Sequence, residues 1–194
     1  MSIRYSRLHF SAQIAATVAI ALLPTHTPAI AAGAASGCLP AGAGYLRARI
    51  RGALNVDLDW RNGELECDGS DRPDGSGMRL SFAGPLPSSK QRLRLVFGVG
   101  AQEGSAGRAL PTNLTVIFEG ERRLFATLGD DKCTIDRLQQ ERLPASSSAA
   151  RTYRVVARGF CTEPATALSG SERIVISRFD FSGRVAFTRP PRGS

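Results

Sequence analysis

The sequence predicts an all-β protein, either an antiparallel β-sandwich or a jelly-roll-like barrel, with about 8–11 short strands and two disulfides. Three observations lead to this prediction. From residue 46 onward, apolar and polar residues alternate with a period of two, the pattern of a strand with one buried face. Clusters of Gly, Pro, Asn and Ser separate the alternating segments and indicate turns. Four cysteines, none in a CxxC spacing, are typical of two disulfides in an oxidising compartment.

The first 34 residues (1–34) are predicted to be a cleaved signal peptide. Arg4 and Arg7 supply its positive charge, residues 14–23 form an apolar run too short to span a bilayer, and small residues follow. Residues 35–188 then form a single β-rich domain, and residues 189–194 are predicted to be a disordered tail. No later apolar run is long enough for a transmembrane span, so we expect the mature chain to be periplasmic or secreted.

Cys38 has two predicted fates. Pairing of near neighbours would form Cys38–Cys67 and Cys133–Cys161, although four cysteines allow three pairings and their order alone does not select one. Residues 35–38 (ASGC) also resemble a lipobox, in which the cysteine carries a lipid, but the usual Leu three positions earlier is missing. Lipidation would leave an odd number of cysteines. The disulfide is therefore favoured, and an N-terminal lipoprotein is the alternative.

The first two strands have the sharpest alternation. Residues 46–50 alternate Leu, Ala and Ile with arginine, and Gly52 indicates a bend or bulge. Residues 54–60 alternate Leu, Val, Leu and Trp with polar residues. The dipeptide Asn62-Gly63 then predicts a type I′ hairpin to a third strand. Its two-residue loop would place Trp60 opposite Leu65 and Leu58 opposite Cys67.

Later strands follow the same pattern with weaker boundaries. Residues 135–143 are ambiguous and are predicted to form a strand end that leads into an irregular turn. Turns are expected at residues 85–89, 119–121 and 182–183, and loops at 101–108 and 143–150. The remaining strands are expected at residues 78–82, 93–99, 114–118, 123–128, 153–160, 173–181 and 185–187.

The composition excludes several kinds of chemistry. Both histidines, His9 and His26, lie in the predicted signal peptide, which removes Ser-His-Asp and Cys-His catalysis and His-ligated zinc from the mature domain. The polar loop at residues 68–77 lacks the spacing of a calcium loop and has Arg72 where a ligand is needed. We therefore predict no catalytic residue, no cofactor and no metal.

The net charge of +8 comes almost entirely from arginine and favours anionic partners. The leading hypothesis is a non-enzymatic cell-envelope or periplasmic module that binds an envelope protein or an anionic polymer. Nucleic acid is disfavoured, because export is predicted and the aromatic residues are expected in the core. Arg47, Arg49 and Arg51 form one stripe. The candidate anion-binding face consists of Arg151, Arg154, Arg158, Arg173, Arg178 and Arg184.

The alternative hypothesis is a carboxylate-dependent glycan hydrolase. Asp57, Asp59, Glu64 and Glu66 would share the solvent face of the predicted hairpin. Glycosidases use two carboxylates about 5–10 Å apart, one of which acts as an acid. Alternation alone places charged groups on any exposed sheet face, so the binding module is favoured over the hydrolase.

Overall fold

The computed structural model describes residues 38–144 and 151–188, and within them the chain is all-β with no helix. This confirms the predicted fold class. Eleven strands follow one another along the chain. They are β1 (Tyr45–Gly52), β2 (Val56–Arg61), β3 (Glu66–Asp71), β4 (Met78–Pro85), β5 (Arg92–Val99), β6 (Leu110–Phe118), β7 (Leu124–Ala126), β8 (Cys133–Arg142), β9 (Arg151–Cys161), β10 (Ala165–Ala167) and β11 (Arg173–Phe187).

The eleven strands are hydrogen-bonded into one sheet that folds into a sandwich of two layers, which we call the first and the second sheet. The first sheet has the order β2-β1-β11-β9-β8, and the second has the order β3-β4-β5-β6-β7-β10. Three contacts join the sheets at their sides: β6 with β8, β10 with β11, and a single parallel pairing of Ser70 in β3 with Ala186 in β11. Every pairing except that of β3 with β11 is antiparallel. Seven of the strands pair in a closed ring, in the order β3, β4, β5, β6, β8, β9 and β11. Closure protects strand edges that would otherwise be unpaired.

The core fills the space between the two sheets. Along each strand the inward residues are apolar and alternate with exposed ones, as in β2, where Leu58 and Trp60 are buried between exposed neighbours. Phenylalanines from both sheets meet at the centre: the ring of Phe97 in β5 lies 4.9 Å from the rings of Phe179 and Phe181 in β11. Rings at this separation gain from edge and offset contacts beyond their burial.

The predicted type I′ hairpin between β2 and β3 is wrong. A turn is present, because the Glu64 N–H donates to the Arg61 carbonyl at 2.9 Å. However, neither Asn62 nor Gly63 has the positive φ that a type I′ turn requires. The two strands enter different sheets, and β2 pairs with β1 instead, with Trp60 opposite Leu46. Trp60 thereby packs on Gly84 of the second sheet and donates its indole N–H to the Pro85 carbonyl at 2.8 Å.

The predicted turn at residues 182–183 is also wrong, because β11 runs without interruption from Arg173 to Phe187. Gly183 is a strand residue paired with Val155. It is glycine for reasons of space: a Cβ there would lie 2.7 Å from the ring of Phe82. Ser182 is fully buried and accepts a hydrogen bond from Arg154. The turn residues therefore mark a close approach between the sheets instead of a reversal of the chain.

The predicted turns at residues 85–89 and 119–121 are confirmed by hydrogen bonds that close them. Gly52 has a φ of 116°, as expected of a bend at the end of β1. Residues 135–143 were predicted to leave the strand for an irregular turn, but residues 135–142 instead continue the ten-residue strand β8 with one bulge.

Both local disulfides are present. Cys38–Cys67 joins the segment before β1 to β3, and Cys133–Cys161 joins directly opposed residues of β8 and β9. The Cys38 sulfur bonded to Cys67 cannot also carry a lipid thioether, so the two predicted fates of this residue exclude each other, and the structure has the disulfide.

No helix in the described segments is long and apolar enough to cross a membrane. The predicted signal peptide at residues 1–34, the tail at 189–194 and most of the loop at 143–150 lie outside the described residues.

Candidate anion-binding face

The outer surface of the first sheet carries rows of charged side chains that cross several strands. In the central row, the register of β2, β1, β11, β9 and β8 places five residues side by side. They are Asp59, Arg47, Asp180, Arg158 and Arg137. Adjacent strands are about 4.8 Å apart, so this row extends over about 19 Å. Side chains far apart in sequence therefore form one continuous charged surface.

Two further rows flank the central one. On one side, Arg49 of β1 lies between Asp57 of β2 and Arg178 of β11. On the other side, beyond the row that contains Ser182 and Gln139, Arg154 of β9 lies between Arg184 and Glu141. We call the whole surface the arginine face. Its arginines are Arg47, Arg49, Arg137, Arg154, Arg158, Arg178 and Arg184, and its carboxylates are Asp57, Asp59, Asp180 and Glu141.

Two β-bulges aim arginines at this face. In β8, Asp136 is an extra residue between Ile135 and Arg137. Without it, strict alternation from the buried Ile135 would turn Arg137 toward the core. In β11 the register with β1 passes from Arg178 to Ile176 and leaves Ser177 unmatched, which moves Arg178 to the outer surface in the same way. Bulges often re-aim side chains next to functional sites.

Several arginines of the face are neutralised by carboxylates. Arg47 contacts Asp59 at 3.1 Å and Asp180 at 3.8 Å, and the hydrogen bond with Asp59 raises the pKa of Arg47. Arg49 lies 3.5 Å from Asp57, which also binds Arg51 at the margin of the face. Such exposed pairs contribute little to stability because water screens them. They hold the side chains in place, however, and they neutralise the positive charge of Arg47 and Arg49.

Charge remains in excess around Arg158. Within the described residues, Arg137, Arg158 and Arg184 form no salt bridge. Among the same described residues, Arg178 forms one salt bridge, with Asp180 at 3.9 Å, and its side chain is 77% exposed. The three arginines Arg137, Arg158 and Arg178 surround one side of Asp180, whose side chain is only 16% exposed. We call these three residues the arginine triad.

A shallow cavity of about 380 Å³ lies over the triad. Tyr45, Gln139 and Asp180 add polar groups to its lining. Burial and the nearby Asp180 carboxylate raise the pKa of the Tyr45 hydroxyl, so this group stays protonated at neutral pH. A neighbouring cavity of about 400 Å³ is lined by Arg158, Arg178 and the half-exposed ring of Phe160. The surface thus offers charged, hydrogen-bonding and aromatic groups without a deep pocket.

Four of the six predicted face residues are brought together on the arginine face: Arg154, Arg158, Arg178 and Arg184. Arg151 lies elsewhere and binds the Glu103 carboxylate through two hydrogen bonds, at 2.6 and 2.8 Å. Arg173 lies at the far end of β11, where it pairs with Thr166 of β10. Arg137 was not among the predicted face residues, because the bulge in β8 interrupts the alternation that would assign its face.

The four carboxylates of the hydrolase hypothesis do not share a surface. Asp57 and Asp59 belong to β2 in the first sheet and bind arginines of β1. Glu66 belongs to β3 in the second sheet, where it binds Arg92 at 2.8 Å. Glu64 lies in the turn between them and accepts a hydrogen bond from the Arg61 N–H. Asp57 and Asp59 therefore share the outer surface of β2, and the two glutamates lie away from them.

The polar loop at residues 68–77 is organised by its own side chains. The Asp74 carboxylate accepts hydrogen bonds from the N–H and hydroxyl of Ser76, which lower the pKa of Asp74. Arg72 binds Asp130 at 3.1 Å. In the part of the chain that the structure describes, no three His, Cys, Asp or Glu side chains form a group that could hold a metal ion.

Comparisons of the chain with protein-family models, with curated proteins and with solved structures find no significant match.

Proposed function

We propose that this protein is an exported, non-enzymatic module of the cell envelope or periplasm that binds an anionic polymer through the arginine face. The observation that carries the proposal is the excess of arginines over carboxylates on one continuous sheet surface, with the triad lacking close partners. Guanidinium groups form strong, charge-assisted hydrogen bonds with carboxylate, sulfate and phosphate groups.

The shape of the face supports a polymer. Two shallow cavities lie over it. They are adjacent, because Arg158 and Arg178 line both of them. Small-molecule sites are usually concave and bury most of their ligand. A flat surface crossed by rows of charge fits an extended chain that contacts several rows at once.

Export is proposed from the N-terminal sequence and is supported by the two disulfides. Disulfides persist in oxidising compartments, which include the periplasm and the extracellular space. Anionic polymers are abundant ligands in such places, and a stapled sheet offers them a rigid surface. Rigid surfaces bind with a smaller loss of conformational entropy than flexible ones.

The proposal is tested by chromatography of the full chain on carboxymethyl-dextran. We expect retention at low salt and elution as salt is raised, because the contacts are electrostatic. R158Q/R178Q/R184Q should elute at clearly lower salt. The control variant R79Q/R108Q/R122Q loses the same charge from exposed arginines outside the face, and it should elute close to the unmodified protein. Equal elution of the two variants would show that net charge alone causes retention and would contradict the proposal.

A further inference from the structure

The arginine face differs from a uniformly cationic surface, because carboxylates lie among the arginines and alternate with them over most of the central row. In the central row, Asp180 lies between Arg47 and Arg158, and Asp59 lies on the outer side of Arg47. Gln139 and Tyr45 occupy the row beside the triad. A ligand on this surface therefore meets hydrogen-bond acceptors next to each group of donors.

This alternation discriminates between kinds of polyanion. Polyphosphates and the phosphate backbone of DNA present acceptors, so Asp180 would repel them. An acidic polysaccharide presents a carboxylate and several hydroxyl donors on every sugar unit. Its carboxylates can bind the triad while its hydroxyl groups donate to Asp180 and Gln139. The acceptors of the face thus become partners instead of sources of repulsion.

Asp180 is well placed to act in this way. Its side chain is mostly buried within the central row. Its contacts with arginines are long, 3.8 Å to Arg47 and 3.9 Å to Arg178. These distances leave its oxygens short of the close, bidentate geometry of a strong arginine–carboxylate pair. The Tyr45 hydroxyl also donates a hydrogen bond to Asp180, but a carboxylate has about four acceptor positions. Asp180 therefore retains acceptor capacity in the lining of the cavity over the triad.

Two β-bulges and one aromatic ring lie at the triad. The bulges at Asp136 and Ser177 each shift the register within a continuous strand, and each of them places one triad arginine beside Arg158. Unpaired bulge residues cost ladder hydrogen bonds, so two of them converging on one cluster indicate a functional constraint. Phe160 adjoins the same cluster and offers an apolar surface for the C–H face of a sugar ring.

From this geometry we infer that the polymer is an acidic polysaccharide, and that Arg137, Arg158 and Arg178 bind a sugar carboxylate while Asp180 accepts a hydrogen bond from a neighbouring hydroxyl. The inference rests on the proposed function, since it names the ligand class of the same face. It makes Asp180 a specificity-determining residue: its charge lowers affinity for phosphate polymers and its oxygens raise affinity for sugars.

The experiment measures affinities of the full chain for polygalacturonate, inorganic polyphosphate and single-stranded DNA at one fixed ionic strength. We expect polygalacturonate to bind at least about tenfold more tightly than the other two. R137Q/R158Q/R178Q should lower this affinity by about tenfold or more, because each lost charged hydrogen bond is a sizeable fraction of the interaction. The exposed-arginine control R79Q/R108Q/R122Q should change it less than threefold.

The decisive variant is D180N, which keeps the shape of the side chain. We expect it to raise affinity for polyphosphate and to lower the polygalacturonate-to-polyphosphate ratio by about tenfold. D68N removes one exposed carboxylate from β3 in the second sheet and should leave this ratio unchanged. Far-ultraviolet circular dichroism confirms that each variant is folded.

The outcomes separate the two proposals. Equal affinity for all three polymers, tighter binding of polyphosphate or DNA, or an unchanged ratio in D180N would overturn the inference while the binding module stands. Absence of binding to every polyanion would overturn both.

Discussion

Glu119 binds two arginines of β5, which in turn bind residues of β3 and β4 on the outer surface of the second sheet. It follows β6 in the turn to β7, and its carboxylate accepts hydrogen bonds from Arg94 at 2.8 Å and Arg92 at 3.0 Å. Arg92 also binds Glu66 of β3, and Arg94 donates to the buried Ser81 of β4. Burial alone would raise the pKa of Glu119, but the two arginines outweigh it, and the pKa is lowered.

This lowered pKa predicts the pH dependence of stability. The stability that ionised Glu119 contributes is fully present above the pKa of an unfolded glutamate, about 4.3, and is lost as pH falls through the lower folded-state pKa. We expect E119Q to lower the free energy of unfolding by about 1 kcal/mol at pH 7 and by less at pH 3. Urea denaturation at both pH values measures the difference. A cost that is the same at both would contradict this account, and E172Q, in an exposed pair with Arg123, should cost less at pH 7.

At the scale of elements, the turn between β2 and β3 decides how the two sheets connect. The Asn62 side-chain oxygen accepts hydrogen bonds from the N–H groups of Leu39 at 2.8 Å and Gly44 at 3.0 Å. It thus fixes the segment before β1 against the turn. Gly63 has neither a positive φ nor any atom that would meet an added Cβ within 4 Å. Of the two turn residues, only Asn62 has a structural requirement.

The pair of substitutions N62A and G63A tests this reading of the turn. N62A removes an acceptor from two N–H groups in partly buried positions and should cost about 1–3 kcal/mol of unfolding free energy. G63A should change stability by less than about 0.5 kcal/mol, since the added methyl group meets no atom and reduces unfolded-chain entropy. A type I′ hairpin would give a strained, clearly destabilised G63A instead. Thermal unfolding of both variants under identical conditions distinguishes the two turns.

Most strands could be predicted from the sequence, because the alternation of apolar and polar residues indicates which side chains are buried. The inward Leu, Ala and Ile of β1 and the Met, Leu and Phe of β4 were assigned in this way. Pairing was less predictable, since the Asn62-Gly63 signal is local while the partner of β2 is set by the packing of Trp60 on Gly84. Four arginines of the face were identified from the sequence. The structure places Arg137 and Arg47 beside them through a bulge and through long-range strand register, and alternation encodes neither.

At the scale of the whole molecule, two disulfides stabilise a closed sandwich in different places. Cys38–Cys67 ties the segment before β1, a strand of the first sheet, to β3 of the second. Cys133–Cys161 joins directly opposed residues of β8 and β9, two strands that already pair along their length. The sequence separations are nevertheless almost equal, 29 and 28 residues. The two bonds therefore restrict the unfolded chain to a similar extent while connecting different native contacts.

Equal loop lengths lead to a prediction about how these bonds stabilise the fold. If restriction of the unfolded chain dominates, C38A/C67A and C133A/C161A should each lose about 3–4 kcal/mol of unfolding free energy, and the denaturant m-value of each should rise as the unfolded chain expands. Guanidinium denaturation of the oxidised variants measures both quantities, with the unmodified protein before and after reduction as the reference. Unequal losses with unchanged m-values would instead assign the stabilisation to native contacts. The larger loss would then be expected for Cys38–Cys67, because this bond ties the segment before β1 to β3, and β1 and β3 do not pair with each other.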